Sequence, residues 1–106
     1  YRAAQASSAL MPVGIDCHIG SQILEVAPFI ASLECLLQLF DELAGEGIEL
    51  KHLDIGGGLG VSYDEPAPSI EDYLSALSTH LDARGCELVL DPGRSIVALA
   101  GVLPHL

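Results

Sequence analysis

Residues 52–60 read His-Leu-Asp-Ile-Gly-Gly-Gly-Leu-Gly, a short apolar strand that runs directly into three consecutive glycines. Glycine lets main-chain N–H groups approach a ligand without a Cβ in the way, and a nest of such groups commonly holds a phosphate. A structural alternative is a tight turn with close packing of a helix on a strand. The order GGGLG lacks the GxGxxG spacing of a dinucleotide fingerprint, and no Gly-Lys-Ser/Thr of a Walker loop follows.

Two further polar turns follow apolar stretches, HIGSQ at residues 18–22 and DPGR at residues 91–94. The runs before the three turns predict buried strands at residues 13–18, 50–55 and 86–90. The carboxyl ends of the strands form the ligand-binding edge both in β/α barrels and in open doubly wound sheets. The three turns are therefore predicted to converge on one site.

Two amphipathic helices are predicted between these strands. The first begins near Pro28 and ends at Gly45. Its apolar stripe consists of Phe29, Ile30, Leu33, Leu36, Leu37, Phe40, Leu43 and Ala44. The second begins at Ser69, which with Asp72 approximates a capping box, and is closed at residues 84–85. Its stripe consists of Ile70, Tyr73, Leu74, Leu77 and Leu81.

The order of elements predicts the α/β class, with about three consecutive parallel β/α units of a partial (β/α)8 TIM-type barrel. Residues 2–9 are predicted to be the tail of a helix that Pro12 prevents from continuing. Residues 95–102 are predicted to form a fourth strand or an extension of the last turn. The chain starts at Tyr1 without an initiator Met, and we expect residues 1–106 to be a fragment of a larger barrel domain.

Charge and cysteine content restrict the function. A formal net charge of −11 argues against binding to nucleic acid or to an anionic membrane, so a phosphate must be held by local dipoles. No apolar run reaches membrane-spanning length. Three cysteines without CxxC spacing indicate neither a disulfide framework nor a zinc site, which fits a protein of the reducing cytoplasm.

His18 lies two residues after Asp16, so both side chains point to the same face of the predicted strand. One interpretation is a buried, hydrogen-bonded histidine. The other is functional: at the carboxyl end of a strand, His18 is placed to stack on a planar ring or relay a proton, and Ser21 to donate to a phosphate oxygen. Asp16 and His18 alone are an incomplete set of metal ligands, and we expect no metal site.

The turn Asp91-Pro92-Gly93-Arg94 places a carboxylate and a guanidinium on either side of a stiff bend. The two side chains either form a local salt bridge or serve different ends of a ligand. In the second case Arg94 pairs with a phosphate or carboxylate, and Asp91 holds a cationic ring nitrogen.

Four other residues receive simpler interpretations. Cys35 and Cys86 are predicted to be core residues. Asp54 is predicted to hydrogen-bond the glycine amides, and Tyr63 lies close enough to the glycine turn to be a rim residue.

The stretches GIDCHIGSQI, HLDIGGGLGVSY and DPGRSIVA together resemble the diaminopimelate decarboxylases, pyridoxal-phosphate (PLP) enzymes with an alanine-racemase-like barrel. The resemblance extends over nearly all of residues 13–103. It implies the removal of carbon dioxide from meso-2,6-diaminopimelate to give L-lysine, with pyridoxal 5′-phosphate as cofactor. The parent protein is then expected to be a homodimer with an amino-acid substrate.

The resemblance also implies roles for the residues of the three turns. His18 would stack on the pyridine ring and take part in catalysis, Asp91 would face the pyridine nitrogen, and Arg94 would bind the phosphate or the substrate carboxylate. Ser21 and the glycines would hold the phosphate. The implied cofactor-binding residues are His18, Ser21, Gly56, Gly57, Gly58, Asp91, Pro92, Gly93 and Arg94.

The sequence departs from the family in two respects. The family usually has glutamate where this chain has Asp91, a side chain shorter by one methylene, or roughly 1.5 Å. The family also carries its Schiff-base lysine on an early barrel strand, whereas the single lysine here, Lys51, starts a strand at the opposite end from the turns. We therefore expect the lysine-bearing N-terminal strands and the C-terminal β domain to be absent from this chain, leaving it inactive alone. Alternative functions are an ornithine- or arginine-type decarboxylase and a non-catalytic PLP-barrel homologue.

Overall fold

The computed structural model describes residues 1–81 and 85–102 of the chain. Four helices and three strands alternate within these residues. In chain order they are α1 (Arg2–Gln5), β1 (Gly14–Asp16), α2 (Ala27–Gly45), β2 (His52–Asp54), α3 (Ile70–Ser78), β3 (Glu87–Val89) and α4 (Arg94–Val97).

The three strands form one parallel sheet in the order β1-β2-β3. Gly14 is level with His52 in β2, and His52 is level with Glu87 in β3. Parallel neighbours that are consecutive in the chain require a crossover, and α2 and α3 supply the two crossovers. The predicted series of consecutive parallel β/α units is confirmed.

Helix α2 covers one face of the sheet, because its apolar side chains recur at helical spacing along one side. Proline in its first turn and Gly45 as its last residue give the boundaries that the sequence predicts. Leu53 and Ile55, two residues apart on and just after β2, project towards this helix and are almost inaccessible to solvent. The helix buries Phe29, Leu33, Leu36, Leu37, Phe40 and Leu43.

Helix α3 packs on the same side of the sheet beside α2. Ser69 is its N-cap, and the Ser69 hydroxyl accepts a hydrogen bond from the Asp72 N–H at 3.0 Å, as predicted. The Tyr73 ring meets the Phe29 ring edge to face, with centroids 4.9 Å apart. Burial raises the pKa of the Tyr73 hydroxyl above its ordinary value.

The last β/α unit packs differently from the prediction. Residues 94–97 form a helix rather than a strand, so the predicted fourth strand is wrong. The β-branched pair Ile96-Val97 favours a strand locally, but Gly93 starts a helical turn, and a short apolar run does not distinguish the two by periodicity. Neither α4 nor the described segment that follows it, residues 98–102, buries a residue: Ile96 is 64 % exposed and Leu99 is 78 % exposed.

Three smaller predictions also need correction. The first helix ends at Gln5 rather than at residue 9. Each strand has three residues and is shorter than predicted at both ends. Cys35 is exposed on α2, so its assignment to the core is wrong, whereas Cys86 is partly buried against the core as predicted. The predicted closure of α3 at residues 84–85 includes Arg84, which lies outside the described residues.

The molecule is a thin slab, 54 × 34 × 17 Å, because helices cover only one face of the sheet. Its radius of gyration of 16.6 Å exceeds the value of about 13 Å expected for a compact domain of 100 residues. The other face carries polar side chains, among them His52, whose Nδ1 lies 3.2 Å from a carboxylate oxygen of Glu87. Among the described residues, no helix has the length and apolar character needed to cross a membrane.

Candidate functional site

The loops that follow the three strands meet at the carboxyl edge of the sheet. The Asp91 N–H donates to the Gly56 carbonyl at 3.0 Å, and the Ile23 N–H donates to the Gly58 carbonyl at 2.9 Å. A parallel bridge between Ile23 and Leu59 continues the pairing beyond the named strands. The predicted convergence of the three turns is therefore confirmed.

The glycine triplet permits this convergence because backbone from the other two loops occupies the space where side chains would lie. A Cβ at Gly57 would overlap the Asp91 carbonyl oxygen, and a Cβ at Gly58 would overlap the Gly20 carbonyl oxygen. At Gly56 it would lie 2.9 Å from His18 Nδ1, and Gly56 and Gly58 both have positive φ. The triplet is thus a place of close packing, but between loops rather than between a helix and a strand as the structural alternative has it, and such packing is compatible with a binding site.

Two of the three glycine amides are already bonded within the protein. The Gly56 N–H donates to Asp54 Oδ1 at 2.7 Å, which confirms the prediction for Asp54. The Gly57 N–H donates to His18 Nδ1 at 3.2 Å. Because Nδ1 accepts this bond, the neutral imidazole carries its proton on Nε2. Within residues 1–81 and 85–102 the Gly58 N–H donates to no protein group, so it is the amide of the triplet that is available to an anion.

The remaining predicted site residues lie exposed around this loop cluster. His18 and Ser21 are exposed on the first loop, and Asp91, Pro92, Gly93 and Arg94 are exposed on the third. Among the described residues, no ion pair links Asp91 to Arg94, so their salt-bridge interpretation is wrong. Both residues are exposed at the carboxyl edge of the sheet.

Arg94 is held instead by the other two loops. Its Nη1 donates to Gln22 Oε1 at 3.2 Å, and its guanidinium lies 5.9 Å from the centroid of the Tyr63 ring. Tyr63 was predicted to be a rim residue, and the contact with Arg94 places it beside a predicted site residue. The contact of Arg94 with Gln22 was not predicted.

Gln22 is the residue that sequence reasoning missed. Its Nε2 donates to the Val61 carbonyl at 2.7 Å, and its Oε1 accepts from the Val61 N–H at 3.2 Å. Its φ of +55° is the single positive value at a described residue other than glycine. No pattern in the sequence indicates a side chain that pairs with a backbone 39 positions away; its place directly after HIGS was the only available signal.

A mostly apolar cavity of about 210 Å3 adjoins the loop cluster between α3 and α4. Gly56, Gly57 and Pro92 form its edge towards the loops, and Tyr73 and Ile96 form its helical walls. In the described part of the chain, no three His, Cys, Asp or Glu residues are close enough to hold a metal ion.

Lys51 lies immediately before β2, at the amino end of the strand, and it is exposed. Its N–H pairs with the Val13 carbonyl at 2.8 Å, which ties it to the beginning of the sheet. The side chain therefore starts at the opposite end of the strand from the loop cluster, as predicted.

Comparisons with known proteins agree on one family. Residues 1–98 match the model of the family described as pyridoxal-dependent decarboxylase, pyridoxal binding domain. The chain is 53 % identical over 97 % of its length to the diaminopimelate decarboxylase of Pseudomonas aeruginosa and 51 % identical over 97 % to that of Vibrio cholerae. It covers 25 % of each of these relatives, so the chain spans about a quarter of their length.

A solved structure resembles the fold closely. Diaminopimelate decarboxylase from Helicobacter pylori, crystallised with L-lysine, superimposes with a TM-score of 0.87 at 36 % identity. The match covers 92 % of this chain and 25 % of the Helicobacter pylori chain. This likeness confirms the predicted fold class, a part of a β/α barrel built from consecutive parallel units.

Proposed function

We propose, because the chain belongs to the family of pyridoxal-dependent decarboxylases, that it is the cofactor-binding segment of a longer diaminopimelate decarboxylase. The complete protein would convert meso-2,6-diaminopimelate to L-lysine and carbon dioxide. The observation that carries the proposal is the meeting of the HIGSQ, GGG and DPGR loops at one edge of the sheet.

The residues of the loop cluster fit pyridoxal 5′-phosphate. The cluster offers a backbone cradle that glycine keeps open, a guanidinium for an anion, an imidazole for a planar ring and a carboxylate for a ring nitrogen. The cradle and the guanidinium suit the phosphate and its negative charge. The imidazole suits the aromatic face of the ring, and the carboxylate suits the ring nitrogen. They come from three different loops, so no single loop forms the site by itself.

At the phosphate, we assign the contacts to Ser21, Gly58 and Arg94. The Gly58 N–H is the amide of the triplet that makes no bond to a described protein group. Ser21 is exposed and directly follows Gly20, whose carbonyl lies against Gly58. Arg94 supplies the positive charge in a chain whose formal net charge is −11. Gly56 and Gly57 contribute by admitting the neighbouring loops.

At the ring, we assign His18 to the aromatic face and Asp91 to the nitrogen. The bond from Gly57 to His18 Nδ1 fixes the tautomer of the imidazole and limits its rotation, which suits a stacking group. Bound pyridoxal phosphate accepts the electron pair that the substrate releases as it loses carbon dioxide. A carboxylate at Asp91 keeps a ring nitrogen protonated, so Asp91 sets how readily that electron pair is accepted.

Asp91 in place of the family's glutamate is compatible with this role. The Asp91 N–H is bonded to Gly56, so the backbone of the third loop lies directly against the glycine turn. Aspartate serves as the partner of the pyridine nitrogen in other pyridoxal-phosphate enzymes, so this residue type suits the role. We therefore propose that Asp91 retains the function of the glutamate.

The proposed substrate follows from the named relatives. The proteins of Pseudomonas aeruginosa and Vibrio cholerae are diaminopimelate decarboxylases, and the Helicobacter pylori enzyme was crystallised with L-lysine, the product of that reaction. We further propose that the complete protein is a cytoplasmic homodimer. The three free cysteines agree with a reducing compartment. A measurement of the molecular mass of the complete protein in solution would test the dimer.

The test is a decarboxylation assay on the complete protein. We expect a yellow protein that releases carbon dioxide from meso-2,6-diaminopimelate and forms L-lysine, with ornithine and arginine as much poorer substrates. A preference for ornithine or arginine would replace the proposed substrate. A colourless protein that does not bind pyridoxal phosphate would refute the assignment as a pyridoxal-phosphate enzyme.

Two variants of Asp91 test its assigned role. The substitution Asp91→Asn removes the charge without changing the size of the side chain, and we expect kcat to fall by about 100-fold or more because an uncharged partner no longer keeps the ring nitrogen protonated. Asp91→Glu restores the family's residue and is expected to keep activity within about tenfold. Equal activity of Asp91→Asn and the native protein would contradict the assignment.

A further inference from the structure

The side chain of Gln22 adds hydrogen bonds between the first and second loops. The backbones of these loops pair at Ile23 and Leu59, where the Gly60 N–H donates to the Ile23 carbonyl at 2.9 Å. Beyond that point, the Gln22 amide takes over the pairing: it gives its N–H to the Val61 carbonyl and accepts the Val61 N–H. A side-chain amide thus takes the place of a peptide group.

The backbone at Gln22 is turned to make this possible. A φ of +55° is uncommon for a residue with a Cβ, and such conformations persist where the surrounding structure over-determines them. At Gln22, the hydrogen bonds of the side-chain amide to the N–H and the carbonyl of Val61 hold the backbone in this conformation. The conformation is coupled to the side chain, because the amide reaches Val61 from this backbone turn.

Oε1 of Gln22 has a second partner, the Arg94 guanidinium at 3.2 Å. The orientation of the amide is fixed by Val61, since Nε2 must face a carbonyl and Oε1 must face an N–H. The acceptor that Arg94 meets therefore has a fixed position. Tyr63, only two residues after Val61, contacts the same guanidinium through its ring.

Arg94 needs such external support. It is the first residue of α4, a helix of four residues that buries none of its side chains. Packing therefore does not determine where the guanidinium lies, and within the described residues its side-chain contacts are with Gln22 and Tyr63.

We propose that Gln22 is a positioning residue: it locks the first loop to the second and, through Oε1, aims the Arg94 guanidinium at the anion-binding edge. The proposal rests on the proposed function, which assigns the phosphate of the cofactor as the ligand of Arg94. We assign Gln22 no contact of its own with cofactor or substrate. Its main effect on binding is expected to pass through the Arg94 guanidinium, which Gln22 Oε1 contacts.

Gln22→Asn is the most informative variant. Asparagine tolerates positive φ better than most residues, so the backbone turn is kept, while the amide is shortened by one methylene, roughly 1.5 Å, and loses its reach. Gln22→Met keeps the length and removes every polar atom. Gln38→Asn is the matched control, because Gln38 lies on the exposed face of α2, where its side chain donates a hydrogen bond to Glu42 and not to a residue of the loops.

The first experiment titrates the complete protein with pyridoxal 5′-phosphate. We expect Gln22→Asn and Gln22→Met to raise the Kd about five- to tenfold, the loss of a hydrogen bond to a charged group, and Gln38→Asn to leave it unchanged. Arg94→Met should raise the Kd further, and adding Gln22→Asn to Arg94→Met should change it by less than about twofold, because coupled residues are not additive. Additive effects of the two substitutions would overturn the proposal.

The second experiment needs no cofactor. Crystal structures of the complete native protein and of Gln22→Asn, both grown without pyridoxal phosphate, should differ in the Arg94 side chain, which leaves the Tyr63 ring in the variant. An unchanged Arg94 would overturn the role of Gln22. Failure of the native protein to bind the cofactor, with Arg94 still displaced in the variant, would refute the proposed function and leave the positioning role intact.

Discussion

The first two β/α units and the third differ sharply in how they are packed. Strands β1 and β2 are covered by α2 and α3, and Leu33, Leu53 and Leu77 are at most 1 % exposed. The third unit, β3 with α4, is covered far less, and Ile96 and Leu99 are more than half exposed. Yet Asp91 and Arg94, two of the proposed ligand-binding residues, belong to that third unit.

This difference shows that the third unit contributes little to the buried core, although two of the proposed ligand-binding residues belong to it. The third loop obtains its position from the glycine turn and from Gln22 rather than from a core of its own. Changes in the first two units should therefore act on stability, and changes at the contact between the loops should act on the position of Asp91 and Arg94.

The largest expected effect contrasts two leucines. Leu33 on α2 is completely buried and Leu99 is 78 % exposed. Leu33→Ala should lower the free energy of unfolding of the chain by about 3 kcal/mol through lost burial and a residual cavity, and Leu99→Ala should change it by less than about 0.5 kcal/mol. Urea unfolding followed by circular dichroism measures both. Similar losses for the two variants would show that the third unit is as well packed as the first two.

The second prediction concerns the contact between the units. Gly57→Ala places a Cβ against the Asp91 carbonyl oxygen, so either the glycine turn or the third loop must move. We expect a loss of about 2 kcal/mol in the same unfolding measurement, in the range of overpacking. Gly45→Ala is the control: it meets nothing within 4 Å at the end of α2 and should be neutral or stabilising. Tolerance of Gly57→Ala would contradict the close approach of the loops.

A smaller effect is expected at the start of α3. Ser69→Ala removes the N-cap bond to Asp72 and should destabilise the chain by about 1 kcal/mol. Ser78→Ala, in the last turn of the same helix, removes only a local bond to the Ser75 carbonyl and should be close to neutral. If the two serine variants lose equal stability, α3 does not depend on its cap as the structure indicates.

The smallest effect is a pH dependence. Burial raises the pKa of Tyr73 in the folded chain, so its contribution to stability is complete below the unfolded value of about 10 and is lost as the pH rises through the folded pKa. Tyr73→Phe keeps the ring against Phe29 and removes the ionisable group. The stability of this variant should therefore decline less steeply above about pH 10 than that of the native chain. An unchanged slope in unfolding titrations would contradict the role of Tyr73.

Much of the fold follows from local signals in the sequence. Pro28 and Gly45 mark the ends of α2, and Ser69 marks the start of α3, because caps and helix breakers act within a few residues. The helical state of residues 94–97 did not follow, because a short apolar segment does not distinguish a helix from a strand. Cys35 was assigned to the core although it lies outside the apolar stripe of α2, and the helical spacing of that stripe agrees with its exposure.

The site was predictable in part. Its three loops follow from the rule that ligands bind at the carboxyl ends of parallel strands, and the bond from Gly56 to Asp54 follows from their separation by two residues. The bond from Gly57 to His18 and the pairing of Gln22 with Val61 did not follow. They join residues 39 positions apart through loop geometry, which exists only once the sheet has formed. The roles of His18, Ser21, Asp91 and Arg94 towards the cofactor stay predictions.

The most direct measurement is a crystal structure of the complete protein grown with pyridoxal 5′-phosphate. We predict that the phosphate lies against Ser21, Gly58 and Arg94, that His18 stacks on the ring, and that the Asp91 carboxylate meets the ring nitrogen. A cofactor bound away from the meeting point of the three loops, or a ring nitrogen without contact to Asp91, would contradict the proposed site.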